Sequence, residues 1–121
     1  MNKEDAEKLL QAFAITRREQ SKIHLGERGW IYPDEVWAFF KVVADANWLD
    51  HQYQAGRDMK RLRDPSYLVS ASVDELCSMI TAAWRGERFF EGLWKDVFCN
   101  GHMERAMQRL ASIFGLEPHI T

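Results

Sequence analysis

Apolar side chains recur along this chain every three or four residues, the spacing that lines one face of an α-helix at about 100° per residue. Ala6, Leu9, Leu10 and Phe13 follow the cap-forming Asn2, and Glu4, Asp5 and Glu7 sit in the first turn, so residues 3–22 are predicted helical. Gly26 and Gly29 in HLGERGWIY interrupt the period. Pro33, followed by Asp34 and Glu35, opens a second helix over about 33–46 with Val36, Trp37, Phe40, Val43 and Ala44 on one face. In NWLDHQYQAGRDMKRLRDP the apolar positions Tyr53, Met59 and Leu62 are sparse, which predicts a short, mostly polar helix. The residue before a proline is pushed out of helical geometry, so Asp64-Pro65 should end that helix and begin a loop to about Ser70.

Ser72-Val73-Asp74-Glu75 has the form of a capping box, and Val73, Leu76, Cys77, Ile80 and Trp84 continue behind it on one face. Phe89, Phe90, Leu93, Trp94, Val97 and Phe98 centre about 110° away from that face. No straight one-sided helix serves both sets: the chain kinks or restarts near Gly86, or one central helix over about 72–99 is buried against different neighbours along its length. The second option is the expectation taken forward. Asn100-Gly101 supplies a stop, and Met103, Ala106, Met107, Leu110, Ile113 and Phe114 make a last helix that ends at Gly115, with Pro118 just beyond. No stretch alternates with period two over more than a few residues. The pattern therefore predicts an all-α fold: residues 1–121 as a compact single-domain bundle of five to six helices around the central one, without solenoid repeats.

Composition adds two points. The chain of 121 residues is 46% hydrophobic and carries five Trp, seven Phe and three Tyr, a heavy aromatic load that predicts rings mostly in the core, with a partner surface as the alternative place for some of them. Its net charge of −2 removes the general electrostatic case for nucleic-acid binding, which needs an excess of Lys and Arg. No window approaches 18 uninterrupted apolar residues, and the opening MNKEDAEKLL lacks the apolar stretch of a signal peptide, so the expectation is a cytoplasmic protein without a membrane span. Cys77 and Cys99, far apart and outside any CxxC, are expected to be reduced and buried as small hydrophobes. His24, His51, His102 and His119 stand at no ligand spacing and read as surface or cap residues, so neither a metal site nor a cofactor is predicted.

The chemistry that stands out is WRGERFFEG, which sets Arg85, Glu87, Arg88 and Glu91 inside the most apolar part of the chain. Charges buried there must be paired or solvated. One reading is a structural ion cluster, with Arg88 paired to Glu91 and Arg85 to a carboxylate, that locks the central helix to its neighbours. The other is an anion fork in which Arg85 and Arg88 hold a carboxylate or phosphate while Glu87 and Glu91 orient them. A second basic run places Arg57, Lys60 and Arg61 on one face of the third helix, either as a solvated face or as an interaction surface for an acidic partner or a nucleic-acid backbone.

At Arg85, Arg88, Phe89 and Gly92 the chain resembles domain of unknown function 6508, a family of bacterial and phage domains with an Arg-x-x-Arg-Phe-x-x-Gly motif. Thr81 before the motif and Gly101, Arg109 and Leu110 after it agree in spacing, whereas Trp48 and Tyr53 stand in a different register from the family's Trp-x-x-Trp. The resemblance implies the helical fold and the centrality of the motif, and implies no activity.

Together these features predict a small binding or regulatory module that acts through contacts with a protein partner, a second copy of the chain included. The alternatives are an enzyme or anionic-ligand domain built on Arg85 and Arg88, and weak nucleic-acid binding through residues 57–63.

Overall fold

Helix α1, Lys3–Glu19, starts where the sequence marks it: the Asn2 side chain accepts the Asp5 N–H at 2.8 Å and the Asp5 carboxylate accepts the Asn2 N–H at 3.0 Å. The structure is a computed structural model that describes residues 1–117, so Pro118 and His119 lie outside the described residues. The expected first helix stops three residues early, because Gln20–Lys22 tightens into a 3-10 turn.

The interruption that follows is a β-hairpin. Strand β1, His24–Gly26, pairs antiparallel with β2, Gly29–Ile31, leaving Glu27 and Arg28 as its two-residue loop. This corrects the purely α-helical expectation in detail, although the domain remains mostly helical. Three-residue strands are too short to display a period of two, and Leu25 and Ile31 are exposed, so no buried face betrayed them.

Seven helices occur among the described residues, against the five or six expected. Helix α2, Asp34–Ala44, turns Val36, Phe39, Phe40 and Val43 inward; Trp37, expected on that face, is 55% exposed. Helix α3 is Ala55–Leu62. The expected loop after it contains a one-turn helix α4, Pro65–Leu68, whose start is fixed by the Asp64 carboxylate accepting the Ser66 and Tyr67 N–H groups. Helix α5, Val73–Gly86, begins with the anticipated Ser72–Glu75 capping box. From Leu76 to Ala83 every residue is buried, the signature of an element packed on all sides.

The central helix does not run to residue 99. It ends at Gly86, a turn follows, and α6, Leu93–Cys99, begins in a new direction behind Gly92 with φ +92°. The two displaced apolar faces are thus served by two helices. Gly86 permits their close approach: a Cβ there would stand 1.9 Å from Leu93 Cδ2. Helix α7, His102–Phe114, closes the bundle against α1, α4 and α6.

One core unites these elements. At its centre the Phe40 and Trp94 rings stack at 4.2 Å between centroids, and Phe13, Phe39 and Phe98 surround them in stacked and edge-to-face pairs. The Thr16 hydroxyl, fully buried, lies 3.0 Å from the carbonyl oxygens of both Ala12 and Glu35 and ties α1 to the start of α2. Among the described residues no helix is long and apolar enough to cross a membrane.

Candidate functional site

Three of the four charges that the sequence singled out, Glu87, Arg88 and Glu91, lie in the turn between α5 and α6, with Arg85 in the last turn of α5, and the structure separates the four by sign. Helix α6 starts on a glycine, which offers no side chain to its exposed amide groups. Glu87 serves instead. Its Oε2 accepts the Gly92 N–H at 2.9 Å, and its Oε1 accepts the Trp94 N–H at 2.8 Å and the Tyr32 O–H at 2.9 Å. The Tyr32 oxygen in turn accepts the Lys95 N–H at 3.3 Å. Burial, and then the bond to Glu87, push the Tyr32 phenol well above its ordinary range.

Glu91 faces the hairpin. Its Oε1 accepts the Trp30 N–H at 2.9 Å. It fits only because residue 29 is glycine: a Cβ on Gly29, whose φ is +122°, would fall 1.7 Å from that oxygen. A two-stranded hairpin is marginal alone, and this carboxylate and the Tyr32–Glu87 bond fasten the hairpin and the chain just beyond it to the bundle.

Both glutamates are therefore committed to backbone amides and a phenol, and among the described residues no ion pair joins Glu87 or Glu91 to Arg85 or Arg88. The expected Arg–Glu cluster is absent. Its sequence logic assumed an unbroken helix, in which i,i+3 and i,i+4 neighbours meet; the break at Gly86 removes that geometry. Half-buried Arg85 lies over the Trp84 ring, 4.8 Å from its centroid. Arg88 is exposed, and nothing in the structure explains its place in the motif.

Beside this turn lies a groove of about 740 Å³, a volume within the roughly 300–1,000 Å³ of small-ligand sites. Helices α3 and α5 and the turn enclose it, with Met59, Ala82 and Leu93 along its apolar floor. Phe89 and Phe90, 69% and 68% exposed, form one lip. Lys60, Arg63 and Arg85 bring three cations to it, and no acidic side chain lines it. A Cβ on Gly56, also at the groove, would meet nothing within 4 Å.

The three cations differ. Arg63 donates through Nε to Asp96 at 2.9 Å. Burial pushes the Asp96 carboxyl up, but hydrogen bonds from Asn100 and Arg63 outweigh that and hold it below its ordinary range. Lys60 makes no hydrogen bond or ion pair among the described residues, and Arg85 has only its ring contact. Of the other basic residues proposed with Lys60, Arg57 pairs with fully buried Asp58 at 3.2 Å, and Arg61 reaches Glu75 at 3.8 Å and covers the Tyr67 ring. The basic run of α3 is thus divided, with Lys60 alone of the three at the groove.

Three residues carry roles that the sequence did not signal. Asp58 is wholly buried and accepts the Gln54 N–H at 2.8 Å, a local bond that fastens the start of α3. Asp50 accepts a short hydrogen bond from the Ser78 hydroxyl, and its own N–H donates to Thr81 Oγ1 at 3.2 Å, so the connection from α2 to α3 is pinned to α5. His102, read as a surface or cap residue, is the first residue of α7 and half-buried, with Nε2 3.6 Å from Asp96 and Nδ1 2.8 Å from Arg105 Nη2. Burial, with the Arg105 charge, lowers its pKa against the opposing pull of Asp96. Cys77 is buried as expected, but Cys99 is exposed. Among the described residues no group of three or more His, Cys, Asp and Glu is placed to hold a metal ion.

The positions that share the motif's spacing also have local explanations. The Thr81 hydroxyl donates to the Cys77 carbonyl at 2.7 Å, Arg109 Nε donates to the Ala71 carbonyl at 2.9 Å, Leu110 is fully buried, and Gly92 and Gly101 both take positive φ. A model of a family of unknown function (DUF6508) matches residues 4–115, and the chain belongs to that family. No curated protein and no solved structure matches it.

Proposed function

We propose that this member of a family of unknown function is an intracellular binding module, and that it takes a protein partner on the groove between α3, α5 and the 87–92 turn. The observation that carries the reading is the pair of adjacent rings, Phe89 and Phe90, each about two-thirds exposed at the lip of an apolar groove. Large aromatic side chains left in water beside a concave apolar surface are the usual anchors of protein recognition. Their backbone is not loose: the Phe89 and Phe90 N–H groups donate to the Gly86 carbonyl at 3.0 and 2.9 Å, and the glutamates on either side fasten the turn. Rings held ready in this way lose little freedom on binding.

The test is a comparison of Phe89→Ser and Phe90→Ser with the wild type. Both variants should melt within about 2 °C of the wild type, since exposed side chains contribute little to stability. Both should lose a partner that the wild-type protein retains in cross-linked complexes from its native host. Variants that keep the same partner at wild-type yield would refute the reading.

A second reading, an anionic ligand held by Arg85 and Arg88, has one observation in its favour: Arg85 lines the groove. Arg88 is not among the lining residues. Nucleic-acid binding through residues 57–63 has less support, since Arg57, Arg61 and Arg63 all have carboxylate partners.

A further inference from the structure

Resting on that reading of the groove, we infer the chemistry of the occupant: an apolar segment of a partner protein that carries carboxylates, with its acidic side chains meeting Arg85 and Lys60. The argument is one of charge complementarity. The chain as a whole is acidic, with 18 Asp and Glu against 16 Lys and Arg, yet the residues that line the groove include three cations and no anion. The carboxylates of the adjoining turn do not offset these cations, because they face elsewhere. Glu87 is turned to the start of α6 and to Tyr32, and Glu91 to the hairpin.

Arg63, whose charge Asp96 already answers, gives the groove an internal control. Lys60 and Arg85 have no carboxylate partner among the described residues and are the two cations open to an incoming anion. An occupant that filled the groove with apolar side chains alone would leave both cations partly desolvated and unanswered, which disfavours it; an acidic one gains in steering and in specificity. A protein segment fits better than a small molecule because the lip consists of two neighbouring rings, each about two-thirds exposed, and covering both takes a surface broader than a ligand lying on the floor.

The experiment uses the full chain and three synthetic amphipathic peptides of about 15 residues that share one Leu- and Phe-rich face. Their polar faces carry Glu, Gln or Lys, and dodecanoate serves as the free carboxylate amphiphile. Fluorescence anisotropy at low salt should rank the Glu peptide about tenfold tighter than the Gln peptide, with the Lys peptide weakest. Lys60→Gln and Arg85→Gln should each lower affinity for the Glu peptide about threefold to tenfold and leave that for the Gln peptide unchanged; Arg63→Gln should change either by less than about twofold. Lys60 is exposed, so its variant keeps the test sound if Arg85→Gln perturbs folding.

Equal affinity for all three peptides, with binding still lost in Phe90→Ser, would overturn the charge assignment while leaving the groove as the docking surface. Binding unaffected by Phe90→Ser would overturn the groove itself. Saturable dodecanoate binding without peptide binding would overturn the protein segment as occupant in favour of a small amphiphile.

Discussion

Glu87→Ala offers the clearest energetic test of how the α5–α6 turn is built. The substitution takes the acceptor from three donors at once: the Tyr32 hydroxyl and the Gly92 and Trp94 N–H groups. A hydrogen bond contributes about 1 kcal/mol net, more when one partner is ionised, and a buried donor left unmet costs about 1–3 kcal/mol. Because Glu87 is only half-buried and water can reach part of the site, about 1 kcal/mol per donor is the appropriate scale, for a total near 3 kcal/mol. That is a large part of the 5–15 kcal/mol typical of a domain and corresponds to a fall in Tm of roughly 10 °C. Glu87→Gln keeps one oxygen but turns an NH2 toward a donor, so about half the loss is expected. Arg88→Ala, at an exposed position, should cost less than about 1 kcal/mol. Urea unfolding followed by Trp fluorescence, with an unchanged m-value, measures all three. The reasoning fails if Arg88→Ala is as damaging as Glu87→Ala, or if Glu87→Ala costs less than 1 kcal/mol.

Two glycines should respond in opposite ways: Gly29→Ala, strained by its positive φ and by the Glu91 oxygen, should destabilise by about 2 kcal/mol or more, whereas Gly56→Ala, inside α3 with open space around it, should stabilise by about 0.5 kcal/mol in the same assay. The His102 pKa is lowered in the fold, so the unfolded chain binds the proton more readily; that stability is fully present above about pH 6.5 and is lost as pH falls through the folded value, a slope that His102→Gln should remove. Tyr32 titrates higher in the fold, so its contribution is fully present below about pH 10 and is lost as pH rises further, and Tyr32→Phe should flatten the alkaline limb of the melting profile. A thiol reagent at neutral pH should label exposed Cys99 in the native protein and reach Cys77, whose pKa burial pushes up to about 11, only on unfolding; rapid native labelling of both would contradict the packing around α5.

Much of the helical layout was legible because local signals and the core agree. The caps at Asn2 and Ser72, the stop at Gly101 and the apolar stripes of α1, α2, α5 and α7 all mark elements that form. The two apolar faces on either side of Gly86 were visible as well. What periodicity does not contain is a rule for choosing between one helix buried all round and two helices joined by a turn, and that choice decided the site. In a continuous helix Arg88 and Glu91 are neighbours; across the turn the carboxylates find unmet amides that no sequence pattern announces. The hairpin was missed for a related reason, since its support comes from Glu91, some sixty residues away. The groove joins Lys60, from a run read as an interaction surface, to Arg85, from a run read as an ion cluster, and only the packing of α3 on α5 brings the two together.

Amide hydrogen exchange at Gly92 and Trp94 tests the central claim, that the turn's carboxylates are occupied by backbone donors and so leave the arginines open. Both amides should be protected in the wild-type protein, Glu87→Ala should speed their exchange about tenfold, and Arg85→Gln and Arg88→Gln should leave them unchanged. Free exchange at both positions in the wild-type protein, or equal acceleration in the arginine variants, would contradict it.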